Sequence, residues 1–186
     1  AGEGGAESGR AGRGGEGFAA GREEAKPAGG LKGLSERPGG TTVRLTARAT
    51  RLRSHSGQVA FPGGKIDPGE DALEAALREA EEEIGLSRRH VGPFAVLEPY
   101  RSGSGYRITP VVAEIRPPFE LTINHHEVAE AFETPFAFVM NPDNHQRQSR
   151  EWKGEMRHFY AMPWEKHYIW GVTAGILRNL YERLYT

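Results

Sequence analysis

Residues 64–86 read GKIDPGEDALEAALREAEEEIGL, and the rest of the chain is best read outward from them. Pro68-Gly69 is a turn signal, Asp71 with Glu74 three residues on has the form of a helix N-cap and capping box, and Gly85 is placed to end the helix. From Asp71 to about Ile84 the residues are good helix formers. At ~100° per residue, Leu73, Ala76, Leu77, Ala80 and Ile84 share one face. Glu79, Glu82 and Glu83 fall together on the neighbouring face, because positions three and four apart are adjacent. Three carboxylates so close repel one another, and near the C-terminal end of a helix they also oppose its dipole. A run of glutamates is ordinarily a solvated helix face. A divalent cation would relieve the crowding, and hard oxygen ligands favour Mg²⁺ or Mn²⁺, which would also hold a substrate's phosphates.

The 186 residues suffice for one domain with a proper core, and 37% hydrophobic with 26% charged residues fits a globular class. A net charge of −1 argues neither for nor against an anionic partner and confines any basic surface to a local patch; the expected partner is a small molecule and not a nucleic acid. The absence of cysteine excludes disulfides and thiolate metal sites. No apolar run approaches the ~20 residues of a membrane span, so no membrane partner is expected. Cytoplasmic is the default compartment, with an organellar address left open, as is a homodimer.

Residues 1–40 hold fourteen of the 25 glycines, and their only large apolar residues are Phe18, Leu31 and Leu34. Such a segment buries too little to offset the entropy of ordering it, so it is expected to be largely disordered, with the folded domain spanning 41–186. Gly29–Ser35 in particular lacks strand alternation. Thr42–Thr50 alternates Val43, Leu45 and Ala47 with Arg44, Thr46 and Arg48, the pattern of a strand with one apolar face. Gln58–Phe61 is a short strand feeding the Pro62-Gly63-Gly64 turn. Beyond the helix, strands are expected at Phe94–Glu98 and Tyr106–Ile115, with a loop at Tyr100–Gly105. A short helix is expected near Pro135–Met140, a turn at Asn141–Asn144, and a hairpin-like strand pair at His158–Trp164 and His167–Trp170. A last helix at Val172–Leu184 carries Val172, Ile176, Leu180 and Leu184 at helical spacing. Strands interleaved with two substantial helices give an α/β class with a mixed sheet.

The spacing Gly64, five residues, Glu70, seven residues, Arg78-Glu79, then Glu82-Glu83 and Gly85-Leu86 resembles the Nudix box at every fixed position. The resemblance implies a Nudix fold, a mixed β-sheet sandwiched between helices, and hydrolysis of a diphosphate linked to another moiety. It implies that Glu79, Glu82 and Glu83 are catalytic metal ligands, that Glu70 and Arg78 support them, and that Gly64 lets the backbone turn closely beside the metal. The general base is a box glutamate or one from a distal loop, such as Glu127 in His125-His126-Glu127. A loop acid and a loop histidine pair are also what a solvated surface presents, and His125 and His126 are read that way.

Upstream, the chain resembles a second signature, that of the coenzyme A pyrophosphatases among Nudix hydrolases: Leu-Leu-Thr-x-Arg-Ser, three residues, Arg, three residues, Gly, three residues, Phe-Pro-Gly-Gly. Leu45, Thr46, Arg48, Arg53, Gly57 and Phe61-Pro62-Gly63-Gly64 fall in register, while Arg44 and Ala49 replace the first leucine and the serine. The family implies hydrolysis of coenzyme A or acyl-CoA to 3′,5′-ADP and 4′-phosphopantetheine, a small-molecule partner. Arg48, Arg51, Arg53, Gly57, Phe61, Gly63 and Gly64 are then the expected substrate-binding residues, and arginine's planar fork suits the phosphates of coenzyme A. The alternatives are a Nudix hydrolase acting on a nucleoside triphosphate, dinucleoside polyphosphate or nucleotide sugar, and a Nudix-fold binding module without turnover.

Overall fold

The computed structural model describes residues 25–50 and 57–186. Its first strand, β1 (Lys26–Arg37), runs through the segment whose composition predicted disorder. That expectation is corrected: Ala28 and Leu31 are buried, and β1 lies between β2 (Gly40–Arg48) and β7 (Tyr106–Ile115). The glycines serve close packing there, because a Cβ on Gly33 would run into the Ile115 side chain. The folded unit therefore includes Lys26 onward, and residues 1–24 lie outside the described ones.

Between β2 and β7 come β3 (Val59–Ala60), β4 (Gly63–Lys65), helix α1 (Ala72–Ile84), β5 (Val91–Val96) and β6 (Tyr100–Arg101). After β7 come β8 (Val128–Pro135), helix α2 (Phe136–Val139), β9 (Gln146–Trp152), β10 (Glu155–Ala161) and helix α3 (Gly171–Tyr185). The main sheet runs β3-β2-β1-β7-β5, with β4 added to β1, β6 to β7 and β8 to β2. It is mixed, since β1 and β7 pair in parallel while the other pairs are antiparallel.

The two faces of this sheet bury separate clusters, because alternate strand residues point opposite ways. On one face Leu31, Val111, Ala113 and Ile115 meet Ala76, Ala80 and Ile84 of α1. On the other, Val43, Leu45 and Phe132 meet Val139 of α2 and Ala174 and Leu177 of α3. The α/β sandwich expected from the sequence is thus present. β2 departs from the single apolar face read in its alternation: Arg44 and Thr46 are buried as well, because the opposite face is also covered. Arg44 reaches Glu133 at 3.5 Å and lies over the Phe119 ring, which partly offsets burial of the cation, although its Nε has no hydrogen-bond partner.

Two further expectations change. Tyr100-Arg101 pairs with β7 rather than belonging wholly to a loop. The hairpin near the C-terminus is β9–β10, one strand earlier than expected, while Ala161–Trp170 and Trp164–His167 form only single bridges. β9 is polar and exposed along its length, so no apolar alternation announced it. Its turn is legible in retrospect: Lys153 and Gly154 take φ 51° and 79°, the positive pair that a two-residue hairpin loop needs.

Candidate active site

Asp71 caps α1 by accepting the Glu74 backbone N–H at 2.8 Å, and Gly85 ends it in the left-handed region at φ 66°. The last carbonyls of a helix lack intrahelical donors. Here the following loop supplies them: Thr122 N–H donates to Ile84 O and Asn124 N–H to Glu83 O, each at 2.9 Å. Glu127 N–H then donates to Asn124 O, and Ala49 N–H to Glu127 O, each at 3.0 Å. Capping the helix thereby carries Glu127 to the end of α1 and fixes it beside the end of β2.

The consequence is a cluster of three carboxylates. Ligand oxygens of Glu79, Glu83 and Glu127 all lie within 4.8 Å of one another. Burial, then the nearby Glu79 charge, pushes the Glu83 carboxyl from 4.5 up to about 8. Burial also raises Glu79, against a lowering by Arg78. Among the described residues no Lys, Arg or His pairs with Glu83; the Gly63 backbone N–H donates to it at 3.4 Å, and its other partner is the Glu79 carboxyl. Crowded, partly buried carboxylates without a neutralising side chain at Glu83 fit a hard divalent cation.

Arg78 sits beside this cluster as a brace. Its Nη2 donates to Glu70 Oε1 at 2.7 Å and to Lys65 O at 3.0 Å, and its Nη1 donates to Glu79 Oε1 at 2.9 Å. Those bonds hold the Glu70 carboxyl below its usual range and Arg78 firmly charged. Gly63 and Gly64 bring β4 against the carboxylates: a Cβ on Gly64 would lie 2.7 Å from Glu79 Oε1.

The structure brings together Glu79, Glu83, Glu127, Gly63 and Gly64, with Arg78 and Glu70 behind them. Glu82 stands apart, 52% exposed and 3.4 Å from Arg78 Nη1, outside the three-carboxylate cluster. His125 and His126 are exposed and also outside it. Arg48 ends β2 opposite Val128, one residue from Glu127, and its buried Nε has no hydrogen-bond partner. Gly57 turns at φ 72° and donates to Arg48 O at 3.2 Å, and Phe61 lies under Lys32 Nζ at 5.6 Å. Arg51 and Arg53 lie outside the described residues. Sequence reasoning missed Lys32, a lysine 3% exposed whose burial lowers its pKa to about 7; its strand carried no alternation to mark it.

Residues 34–162 match the NUDIX domain family. The chain is 38% identical over 144 residues to "Uncharacterized Nudix hydrolase NudL" of Photorhabdus laumondii, covering 77% of each. It is 39% identical over 137 residues to the Escherichia coli K12 protein of the same description, covering 73% of this chain and 71% of that one. Among solved structures, a Nudix hydrolase from M. smegmatis, RenU, superposes with TM-score 0.53 at 28% identity, over 62% of this chain and 73% of that one. DR0079 from Deinococcus radiodurans shares the fold at TM-score 0.54 and 15% identity, over 87% of this chain and 83% of that one. No helix among the described residues is long and apolar enough to cross a membrane.

Proposed function

The chain belongs to the Nudix hydrolase family, and on that premise we propose that it hydrolyses the diphosphate bond of coenzyme A or its thioesters, releasing 3′,5′-ADP and 4′-phosphopantetheine. The observation that carries the reading is the contact between the two signatures. Gly63 of the upstream signature donates its backbone N–H to Glu83 of the box at 3.4 Å, and Gly64, which the two signatures share, lies against Glu79. The upstream segment that resembles coenzyme A pyrophosphatases is thereby part of the wall of the carboxylate site.

Glu79 and Glu83 would hold Mg²⁺ or Mn²⁺, which neutralises diphosphate charge when bound. Glu127, the exposed member of the cluster, is the proposed base. Its carboxylate takes a proton from the attacking water as the new P–O bond forms and the P–O bond to the leaving phosphate breaks. Arg78, tied to Glu70 and Lys65 O, positions Glu79 and does not touch the reacting atoms. Arg48, with its unpartnered Nε beside the Glu127 loop, is a proposed phosphate contact, and Arg51 and Arg53 extend that proposal. Incubating the protein with Mg²⁺ and a panel of diphosphates, and identifying products by mass, tests the reading. 3′,5′-ADP and 4′-phosphopantetheine are the expected products; a clear preference for a nucleoside triphosphate would replace the substrate.

A further inference from the structure

A cavity of about 580 Å³ opens between the β9–β10 hairpin and the start of α3. That is the size of an ordinary small-ligand pocket. Arg147, Arg150 and Arg157 line it together with Trp152, Phe159 and Trp170, and no Asp or Glu lines it.

The hairpin arginines are arranged unfavourably for stability alone. Arg150 and Arg157 are directly paired across the two strands, and like charges in that position repel. None of the three arginines has an ion-pair or hydrogen-bond partner among the described residues. Strand alternation puts Trp152 and Phe159 on the same face as Arg150 and Arg157. Trp152 is 51% exposed, and the Phe159 ring meets Trp170 edge-on at 5.5 Å.

The far wall adds to this charge. Gly171 and Val172, the first residues of α3, line the cavity. Trp170, at the N-cap, gives no side-chain bond to the first-turn amides, and that turn has no acidic residue. The positive end of a fifteen-residue helix therefore faces the same space as the arginine pair. Exposed aromatic faces stack on a planar base, and paired guanidinium forks suit phosphate oxygens.

The cavity also lies near the carboxylates. A Cβ on Gly171 would lie 3.8 Å from the Gln58 side-chain nitrogen, and Thr173 Oγ1 donates to Val59 O at 2.8 Å. Gln58 is five residues from Gly63, a span of at most ~18 Å even fully extended. The start of α3 is thus joined through Gln58 and Val59 to the glycine turn beside the carboxylates. We propose that this cavity is a substrate subsite that takes a phosphorylated adenosine: the base against the hairpin aromatics, and its 3′-phosphate on Arg150 and Arg157. The assignment of adenosine rests on the coenzyme A reading above.

The test separates binding from turnover. Calorimetric titration of the full chain in a chelator measures binding of 3′,5′-ADP and of 5′-AMP, which lacks the 3′-phosphate. The wild type is expected to bind 3′,5′-ADP at least ~10-fold more tightly than 5′-AMP, the worth of one charged hydrogen bond. The double variant Arg150→Ala/Arg157→Ala should erase that difference, and Trp152→Ala should weaken both ligands alike. All three residues are exposed, so folding is checked simply by unchanged thermal unfolding. Retention of the 3′-phosphate preference in the double variant, or its loss in Arg48→Ala instead, would overturn the subsite. Noncompetitive inhibition of turnover by 3′,5′-ADP would also overturn it, by placing the nucleotide outside the substrate's path. If coenzyme A is not hydrolysed yet 3′,5′-ADP binds and is lost in the double variant, the substrate reading fails and the cavity stands. If coenzyme A is hydrolysed with unchanged kcat/KM in the double variant, the reverse holds.

Discussion

Gly64 lies directly against Glu79: a Cβ added to the glycine would stand 2.7 Å from the carboxyl carbon. Its backbone φ is not among the positive values, so alanine there strains no dihedral and acts only through the displaced carboxylate. Gly64→Ala is expected to lower kcat/KM by about 10²-fold, the scale of a misplaced catalytic group. Thermal unfolding should change little. Wild-type kcat/KM in a folded Gly64→Ala protein would detach Glu79 from the chemistry.

The three glutamates of the box are not equivalent. Glu83 is in the three-carboxylate cluster, itself partly buried, and Glu82 is half exposed beside Arg78. Glu83→Gln should therefore cost about 10²-fold or more in turnover, some 3 kcal/mol of transition-state stabilisation. Glu127→Gln should be similarly damaging, and Glu82→Gln distinctly milder. Single-turnover rates at saturating Mg²⁺ for the three variants give the ordering, and a Glu82→Gln loss equal to that of Glu83→Gln would refute it.

Without a cation the cluster should make stability fall with pH. Glu83 titrates at about 8 in the fold against 4.5 unfolded, so between those values the folded state holds the extra proton. Its contribution is complete below the unfolded value and is lost as pH rises through the folded one. In chelator, Tm is expected to drop as pH is raised from about 5 to about 8, and less so in Glu83→Gln. Mg²⁺ or Mn²⁺ should restore it, by roughly 2.7 kcal/mol at a hundredfold excess over Kd. A wild-type Tm that climbs across this window in chelator would contradict the buried, crowded carboxylate.

Truncation locates the working start of the domain. Removing residues 1–24 leaves β1 whole, and activity is expected to persist. Removing residues 1–28 takes away the Ile66-to-Pro27 and Lys26-to-Gly105 backbone bonds and the pairing of Ala28 with Lys65 and Ile108. At about 1 kcal/mol for each bond, a loss of a few kcal/mol should follow, with a lower urea midpoint. Equal midpoints for the two truncations would show that the first three residues of β1, Lys26, Pro27 and Ala28, contribute nothing.

The α1 helix and its caps were legible because capping is local chemistry: Asp71, Glu74 and Gly85 act within a few residues of one another. β7 was legible because Val111, Val112 and Ile115 give it a β-branched apolar run. β1 was not, since Gly29, Gly30 and Gly33 dilute its pattern and their value lies in contacts with distant residues such as Ile115 and Ala72. For the same reason the three glutamates of the helix were visible as a group, whereas exclusion of Glu82 and recruitment of Glu127 depend on how loop 122–127 caps the helix end. The hairpin arginines were passed over because a polar ribbon carries no apolar period.

Gly29 and α1 meet without any side chain between them, since a Cβ on Gly29 would collide with the Ala72 carbonyl oxygen. The spacing between the central strand and the start of the glutamate-bearing helix is thus set by main-chain atoms common to every amino acid. Substitutions elsewhere in the core can change what fills the protein, but none can trim this joint any closer. The helix has a fixed datum at its first residue, and the carboxylates about two and three turns on inherit their position from it.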